Sequence, residues 1–285
     1  MKTFSLPGQC GNVVALAWSP NGHLIAAACE DGTAIVWHIP SGEVVFCRRL
    51  IRTRLLTVTW TENGHCLILG SENNTLTVIQ IRDGTLVLSQ MFDAPVKKIS
   101  FAPRGRRFLV AVGKTIFMYD DQWRAPLQII GPSPVLDVAW SPTGGRFAAV
   151  CCDVFVYNVL RRRTVYTLTD VDVCEPCSVA WNVNGKDVAI GTAKGTIQIH
   201  DGSTGQRFTT YSLSTHRISH LSWGNPCLAA LDDCAEMTLW DLLPREHSGV
   251  LTQRYPSVQR AFAFSPNGEH IATGTRQRIC IASAG

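Results

Sequence analysis

The chain has 285 residues, 46% of them apolar and only 17% charged, a balance that excludes a disordered chain and points to a globular one. At this length about three-quarters of the unfolded surface can be buried, so neither a metal nor a disulfide staple is required. The formal charge of +4, from 26 Lys and Arg against 22 Asp and Glu, is too mild to argue for nucleic acid by itself. The stretch Met1 to Gly8 lacks the apolar core of a signal peptide, and no apolar run reaches the roughly 18 residues of a membrane span. The eleven cysteines are odd in number, and Cys29, Cys66 and Cys280 sit in apolar strand-like runs. They read as reduced, buried thiols, so a cytosolic location is expected.

A short pattern recurs from end to end: a β-rich run, an aromatic residue, then a turn that usually ends in Gly. It begins as Val13 to Gly22 (VVALAWSPNG) and returns at Leu55 to Gly64, Val96 to Gly105, Val135 to Gly144, Pro176 to Gly185, Ile218 onward and Gln259 to Gly268. The aromatic anchors are Trp18, Trp60, Phe101, Trp140, Trp181, Trp223 and Phe264, with successive spacings of 42, 41, 39, 41, 42 and 41 residues. So steady a period marks a repeat architecture.

Each unit reads as four strands. In the first, the aromatic strand is followed by the Ser19-Pro20-Asn21-Gly22 turn and an apolar strand from His23 to Ala28. Glu30-Asp31-Gly32 turns the chain into a third strand, Thr33 to Ile39, and Ser41-Gly42 into a fourth from Glu43 to Phe46. Asx-Gly and Ser-Gly pairs between β-branched runs are hairpin signals, because their turns need positive φ. No segment has a 3.6-residue period, so negligible helix is expected. Four antiparallel strands repeated seven times imply a radial array of small sheets, an all-β seven-bladed propeller forming one domain. The blades are expected near 9–49, 50–91, 92–130, 131–170, 171–212, 213–254 and 255–285 plus 1–8. The seventh unit stops after three strands, and pairing it with Lys2 to Leu6 would close the ring and remove both open edges. The longest loop falls at Asp241 to Gly249.

Period and strand order resemble the WD-repeat family, whose units end near a Trp-Asp dipeptide. That dipeptide survives as Trp240-Asp241, with Tyr119-Asp120, His200-Asp201, Trp37-His38 and Tyr157-Asn158 as degenerate versions. The regular Ser-Pro-Asn-Gly turns look like those of bacterial WD proteins. Members often carry a His before the first strand of a unit, bonded to an Asp in the turn between the second and third. Here only His216 sits near that place, with Cys234, flanked by Asp233, at the matching turn position, so this polar network is expected to be mostly absent and aromatic and aliphatic packing to replace it.

No catalytic constellation is legible, and no cofactor is expected. Cys174 and Cys177 have metal or redox spacing but lack a second pair, and Cys151-Cys152 point to opposite faces of a strand. Gly191 to Thr196 looks like a phosphate loop, yet no helix follows it. The chain is therefore expected not to be an enzyme and to hold no metal.

In propellers of the resembled family, the loops leading into the first strand and the turns between second and third strands crowd one face, the usual docking surface for proteins. Here that face would collect ten cations: Arg52, Arg54, Lys97, Lys98, Lys114, Lys194, Arg217, Arg260, Arg276 and Arg278. The acids opposing them are five: Asp31, Asp137, Asp153, Glu175 and Glu236. A protein or peptide partner with acidic or phosphorylated groups is expected, because Arg forks bind carboxylate and phosphate bidentately. The candidate partner-binding residues are Arg54, Lys97, Lys98, Arg217 and Arg260, with Trp123, beside Arg124, either as an exposed aromatic or as a ring packed under its own loop. Arg161-Arg162-Arg163 forms a second basic cluster on another surface. The expected function is a protein-interaction scaffold, a monomeric propeller or part of a larger assembly. A propeller enzyme with a site at the channel mouth, or a nucleic-acid- or phosphoinositide-binding propeller, is the alternative.

Overall fold

The computed structural model describes residues 4–6, 11–104, 106–120, 122–123, 126–168, 175–224, 227–242, 249–255, 260–275 and 278–283; for Phe4, Leu242 and 249–255 the backbone alone is described. All regular structure among the described residues is strand, arranged as seven four-stranded antiparallel sheets. The first sheet sets the pattern: strand a is Val13–Trp18, b is Leu24–Cys29, c is Thr33–His38 and d is Val44–Arg49. In the next six sheets strand a is Leu55–Trp60, Val96–Phe101, Asp137–Trp140, Pro176–Trp181, Ile218–Trp223 and Ala261–Phe264.

The repeated turn explains itself chemically. Ser19 Oγ accepts the Leu24 N–H at 2.9 Å, Asn21 Oδ1 accepts the His23 N–H at 3.0 Å, and Gly22, at φ 73°, donates to the Ser19 carbonyl at 2.9 Å. The same side-chain-to-backbone bonding recurs at Thr61 and Asn63, and at Ser265 and Asn267. A short polar side chain at the first and third turn positions thus satisfies amides that the ladder leaves open.

Other hydrogen bonds sort the loops onto two faces. Glu30 N–H donates to the Asn12 carbonyl, Glu72 to Arg54 and Asp233 to Arg217, so the residues leading into strand a lie beside the b–c turn. Ile39 N–H donates to the His23 carbonyl and Gly202 to Lys186, which joins the c–d and a–b turns at the other end of the sheet.

The chain divides into two compact units, residues 1–101 with 258–285, and residues 102–257. In unit 1 the N-terminal strand Phe4–Leu6 pairs antiparallel with Ile279–Ser283, Ser5 opposite Cys280, and completes the seventh sheet as its outer strand. Leu6 is buried there with Val13, Trp37, Ile279 and Ile281, in the core between the seventh and first sheets. A second core, including Val36, Leu55, Trp60 and Leu69, fills the space between the first and second. In unit 2 comparable cores lie around Phe147 and Tyr157, around Val156 and Trp181, and around Ile197 and Leu221.

Within each unit, strands a of neighbouring sheets share no ladder among the described residues, and polar side chains join several of them instead. The Trp18 indole N–H donates to the Ala263 carbonyl at 3.0 Å and that of Trp60 to Ala17 at 2.9 Å. Three residues before the anchor, Thr57 Oγ1 accepts the Ile99 N–H at 3.3 Å and Asp137 Oδ2 accepts the Val179 N–H at 3.0 Å. At the same position Ser178 Oγ donates to the Ile218 carbonyl at 3.0 Å. Each bond satisfies a backbone group that the sheet's own ladder leaves free. Trp60, Trp140 and Trp181 are buried, while Trp18 and Trp223 are partly buried against their cores.

One expectation needs correction, and one alternative is decided. The polar network around His216 is present, with Asp232 rather than Cys234 as its carboxylate. Asp232 ends strand b, is buried, and accepts from Ser214 Oγ at 2.9 Å, with His216 Nδ1 at 4.0 Å. Its other oxygen takes the N–H groups of Cys234 and Glu236, each at 3.0 Å, which is why the acid belongs at the start of the turn and not within it. Of the two readings of Trp123, the structure has the packed one. The residue occupies the left-handed position of a c–d turn, at φ 56°, and tilts onto Phe108 with centroids 5.0 Å apart, because a large ring on a short hairpin folds back onto the nearest apolar surface.

Candidate functional site

On the strand-a-opening face of unit 1, three sheets meet at one carboxylate. Glu30 stands in the b–c turn of the first sheet. Its Oε2 accepts from Asn12 Nδ2 at 2.5 Å, and Asn12 leads into strand a of that sheet. Arg54, leading into the second sheet, holds its Nε 3.9 Å from Oε1. Arg260, leading into the seventh, holds Nη1 3.9 Å from Oε2. The Asn12 bond, and beyond it the two guanidiniums, hold the Glu30 carboxyl below its ordinary value of 4.5 against the opposing pull of its desolvation.

The separations of 3.9 Å are ion pairs, too long for hydrogen bonds. Arg54 Nε is shielded from water and makes no hydrogen bond, so one donor of the pair is unused. Asp31, next in the turn, is exposed; its carboxylate caps Thr33, and its carbonyl accepts from Arg49 Nε at 3.0 Å. The arrangement gives two guanidinium forks on rigid strand ends, converging on a space that a carboxylate already fills.

Of the sequence-derived candidates, Arg54 and Arg260 are brought together. Lys97 and Lys98 lie near the start of the third strand a, Lys97 exposed and Lys98 half-buried. Arg217 belongs to unit 2, is exposed, and lies against Cys177, whose thiol is pushed up by burial and drawn down in part by that guanidinium. Trp123 belongs to unit 2 at the opposite end of its sheet, in a c–d turn. Among the acids, Asp137 is buried in strand a and joins two sheets rather than facing a partner. Arg276 and Cys174 lie outside the described residues. Cys177 is buried and donates to the Glu175 carbonyl at 3.2 Å. Among the described residues no group of three or more His, Cys, Asp and Glu is placed to hold a metal ion, and no helix is long and apolar enough to cross a membrane.

Glu30 and Asn12 stand outside the candidates that the sequence offers. Their signal was faint: an acid one residue ahead of the Asp-Gly turn, and an amide just ahead of strand a.

Seven four-stranded sheets at a 39–42-residue period, each with an aromatic anchor near the end of strand a, define a WD-repeat β-propeller. Two segments of the chain are similar to models of that family. Residues 1–38 match the WD domain, G-beta repeat, and residues 138–226 match the anaphase-promoting complex subunit 4 WD40 domain. Similar proteins include FIZZY-RELATED 2 of Arabidopsis thaliana, 37% identical over 114 residues, which is 38% of this chain and 23% of that protein. FIZZY-RELATED 1 of the same plant is 24% identical over 158 residues, 53% of this chain and 33% of that protein. The chain thus matches only a quarter to a third of these relatives' length. Both are plant proteins and lend nothing to the bacterial likeness of the turns.

Proposed function

We propose that this propeller is a non-catalytic protein-interaction scaffold that docks an acidic or phosphorylated segment on the strand-a-opening face of unit 1. The observation that carries the reading is the convergence of Arg54 and Arg260 on the Glu30 carboxylate. What the protein's own carboxylate occupies, a partner's carboxylate or phosphate can occupy in its place, and the unused Arg54 Nε donor favours that exchange. Lys97 and Lys98 extend the positive surface, and Arg217 offers a cation of the same kind on unit 2. Binding loses little loop entropy, because the arginines sit at the ends of paired strands. The match to a WD40 domain named for a subunit of a multi-protein complex supports membership of an assembly. The cysteines support a reducing, cytosolic setting: the nine described ones are all free thiols.

The test uses the partner recovered by affinity capture from the native host. Arg54→Glu with Arg260→Glu is expected to weaken its binding at least about tenfold with an unchanged melting temperature, and the wild-type affinity to fall as salt rises. Unchanged affinity at both low and high salt overturns the reading and moves the site elsewhere.

A further inference from the structure

The a–b and c–d turns of the fourth and fifth sheets, within unit 2, form a surface of a different character. The c–d turn of the fourth sheet presents Leu160 at 84% exposure, followed by exposed Arg161, Arg162 and Arg163. In the fifth sheet, Arg207 and Phe208 open strand d, and Val183 and Lys186 belong to the a–b turn; all four are exposed. These segments are contiguous. Arg146 Nη1 and Tyr166 Oη of the fourth sheet both donate to the Gly202 carbonyl of the fifth, at 3.2 and 2.7 Å, and Gly202 N–H donates to Lys186 at 2.6 Å.

The charge there is one-sided. Two acids flank the four turns, Asp187 at the start of strand b and Asp201 at the end of strand c of the fifth sheet. Asp187 is buried and accepts from Asn182 Nδ2, and Asp201 Oδ1 caps its own turn through the N–H groups of Ser203 and Thr204. Leu160 is the telling residue: a fully presented aliphatic side chain at a hairpin tip, ringed by cations, has no partner of its own to bury it.

We propose that this turn face of unit 2 docks on an anionic lipid surface, with Leu160 entering the head-group boundary and Arg161, Arg162, Arg163, Lys186 and Arg207 meeting lipid phosphates and carboxylates. Exposed leucine and valine among arginines fit that boundary, since apolar side chains bury there while the cations stay at head-group level. Aliphatic groups do not stack on bases, and Phe208 is a single exposed ring where a nucleic-acid surface offers several, so nucleic acid is the poorer match. The inference does not depend on the unit 1 docking face.

Co-sedimentation with phosphatidylcholine vesicles, with and without phosphatidylserine, tests it using the full chain. The protein is expected to sediment with the phosphatidylserine vesicles only. Arg161→Glu with Arg207→Glu is expected to reduce binding by at least about 25-fold, roughly fivefold per arginine. Leu160→Ser is expected to reduce it about tenfold with the salt dependence unchanged. Melting temperatures of both variants are checked to match the parent. Failure to bind the anionic vesicles, equal binding to neutral ones, or binding that neither variant alters overturns the proposal. So does capture of single-stranded polyuridine in preference to vesicles, which would assign the surface to nucleic acid.

Discussion

The indole N–H of Trp60 donates to the backbone carbonyl of Ala17, 2.9 Å away in the neighbouring sheet. Trp18 and Trp60 therefore do two things: they pack into the core between sheets and they tie one strand a to the last. Two units carry Phe101 and Phe264 at this position, so the ring is the common requirement and the hydrogen bond an addition. Trp60→Phe is expected to cost about 1–2 kcal/mol, the net worth of a part-buried hydrogen bond plus a small change in volume. Trp60→Ala, at a site only 3% exposed, is expected to cost about 3–5 kcal/mol. Denaturant unfolding of both variants checks the split; equal losses would mean that the ring contributes nothing beyond the N–H.

The repeat was legible because its signals are local. A Ser or Thr, an Asn two residues on, and a Gly at positive φ close one turn with their own side chains, wherever that turn lies in the chain. The strand-a anchors were legible for the same reason. The bonds between sheets were not: Thr57, Asp137 and Ser178 share an offset from the anchor but no residue type, and their partners lie about forty residues away. Glu30 was hidden likewise, since its role depends on Arg54 and Arg260 arriving from two other sheets. Asp232 was missed by two positions because a cap at the end of a strand reads, in sequence, like part of the strand.

Leu6 makes the N-terminal strand a packing element as well as an edge cover. It is 4% exposed, among Val13, Trp37 and Ile279. Leu6→Ala is expected to cost about 2–4 kcal/mol. Leu6→Asp is expected to release the strand altogether and leave Ile279–Ser283 as an open edge, a template for pairing with another chain. Concentration-dependent association in size-exclusion chromatography, with a lowered melting temperature, is the expected readout. A monomeric Leu6→Asp variant of unchanged stability would show that the pairing contributes nothing.

Gly42 and Gly195 separate backbone strain from crowding. Their φ values are nearly equal, 71° and 74°. A Cβ on Gly42 meets nothing within 4 Å, whereas on Gly195 it would stand 2.0 Å from the Ser214 carbonyl oxygen. Gly42→Ala is expected to cost about 1 kcal/mol, the left-handed penalty alone. Gly195→Ala adds a backbone collision that only movement of the loop into strand a can relieve, and is expected to cost several times more. Asn74 and Ala235 occupy the matching turn position in two other sheets at similar φ, so the penalty at Gly195 comes from the loop above it and not from the turn. Parallel thermal melts of the two variants decide the point: similar shifts would mean that the loop yields freely.

Glu30 links stability to pH through the same contacts proposed for docking. Its carboxyl titrates below the ordinary 4.5, with the Asn12 hydrogen bond as the main cause and Arg54 and Arg260 behind it. A carboxylate depressed in the folded state stabilises that state fully above its unfolded value, and the contribution is lost as pH falls through the lowered folded value. The window is therefore acidic, from about 4.5 downward, and the effect is small because Glu30 and both arginines reach water. Glu30→Gln keeps the Asn12 contact possible and removes the charge. The variant is expected to match the parent more closely in stability as pH falls below about 4.5, and to lag slightly above it. In binding the sign reverses at neutral pH: with no internal anion between them, Arg54 and Arg260 are free for the partner's carboxylate or phosphate, and affinity for an acidic segment is expected to rise severalfold. Paired unfolding curves at neutral and acidic pH, with a binding isotherm for each protein, test both halves. Weaker binding by Glu30→Gln would show that the carboxylate orients the arginines for the partner instead of competing with it.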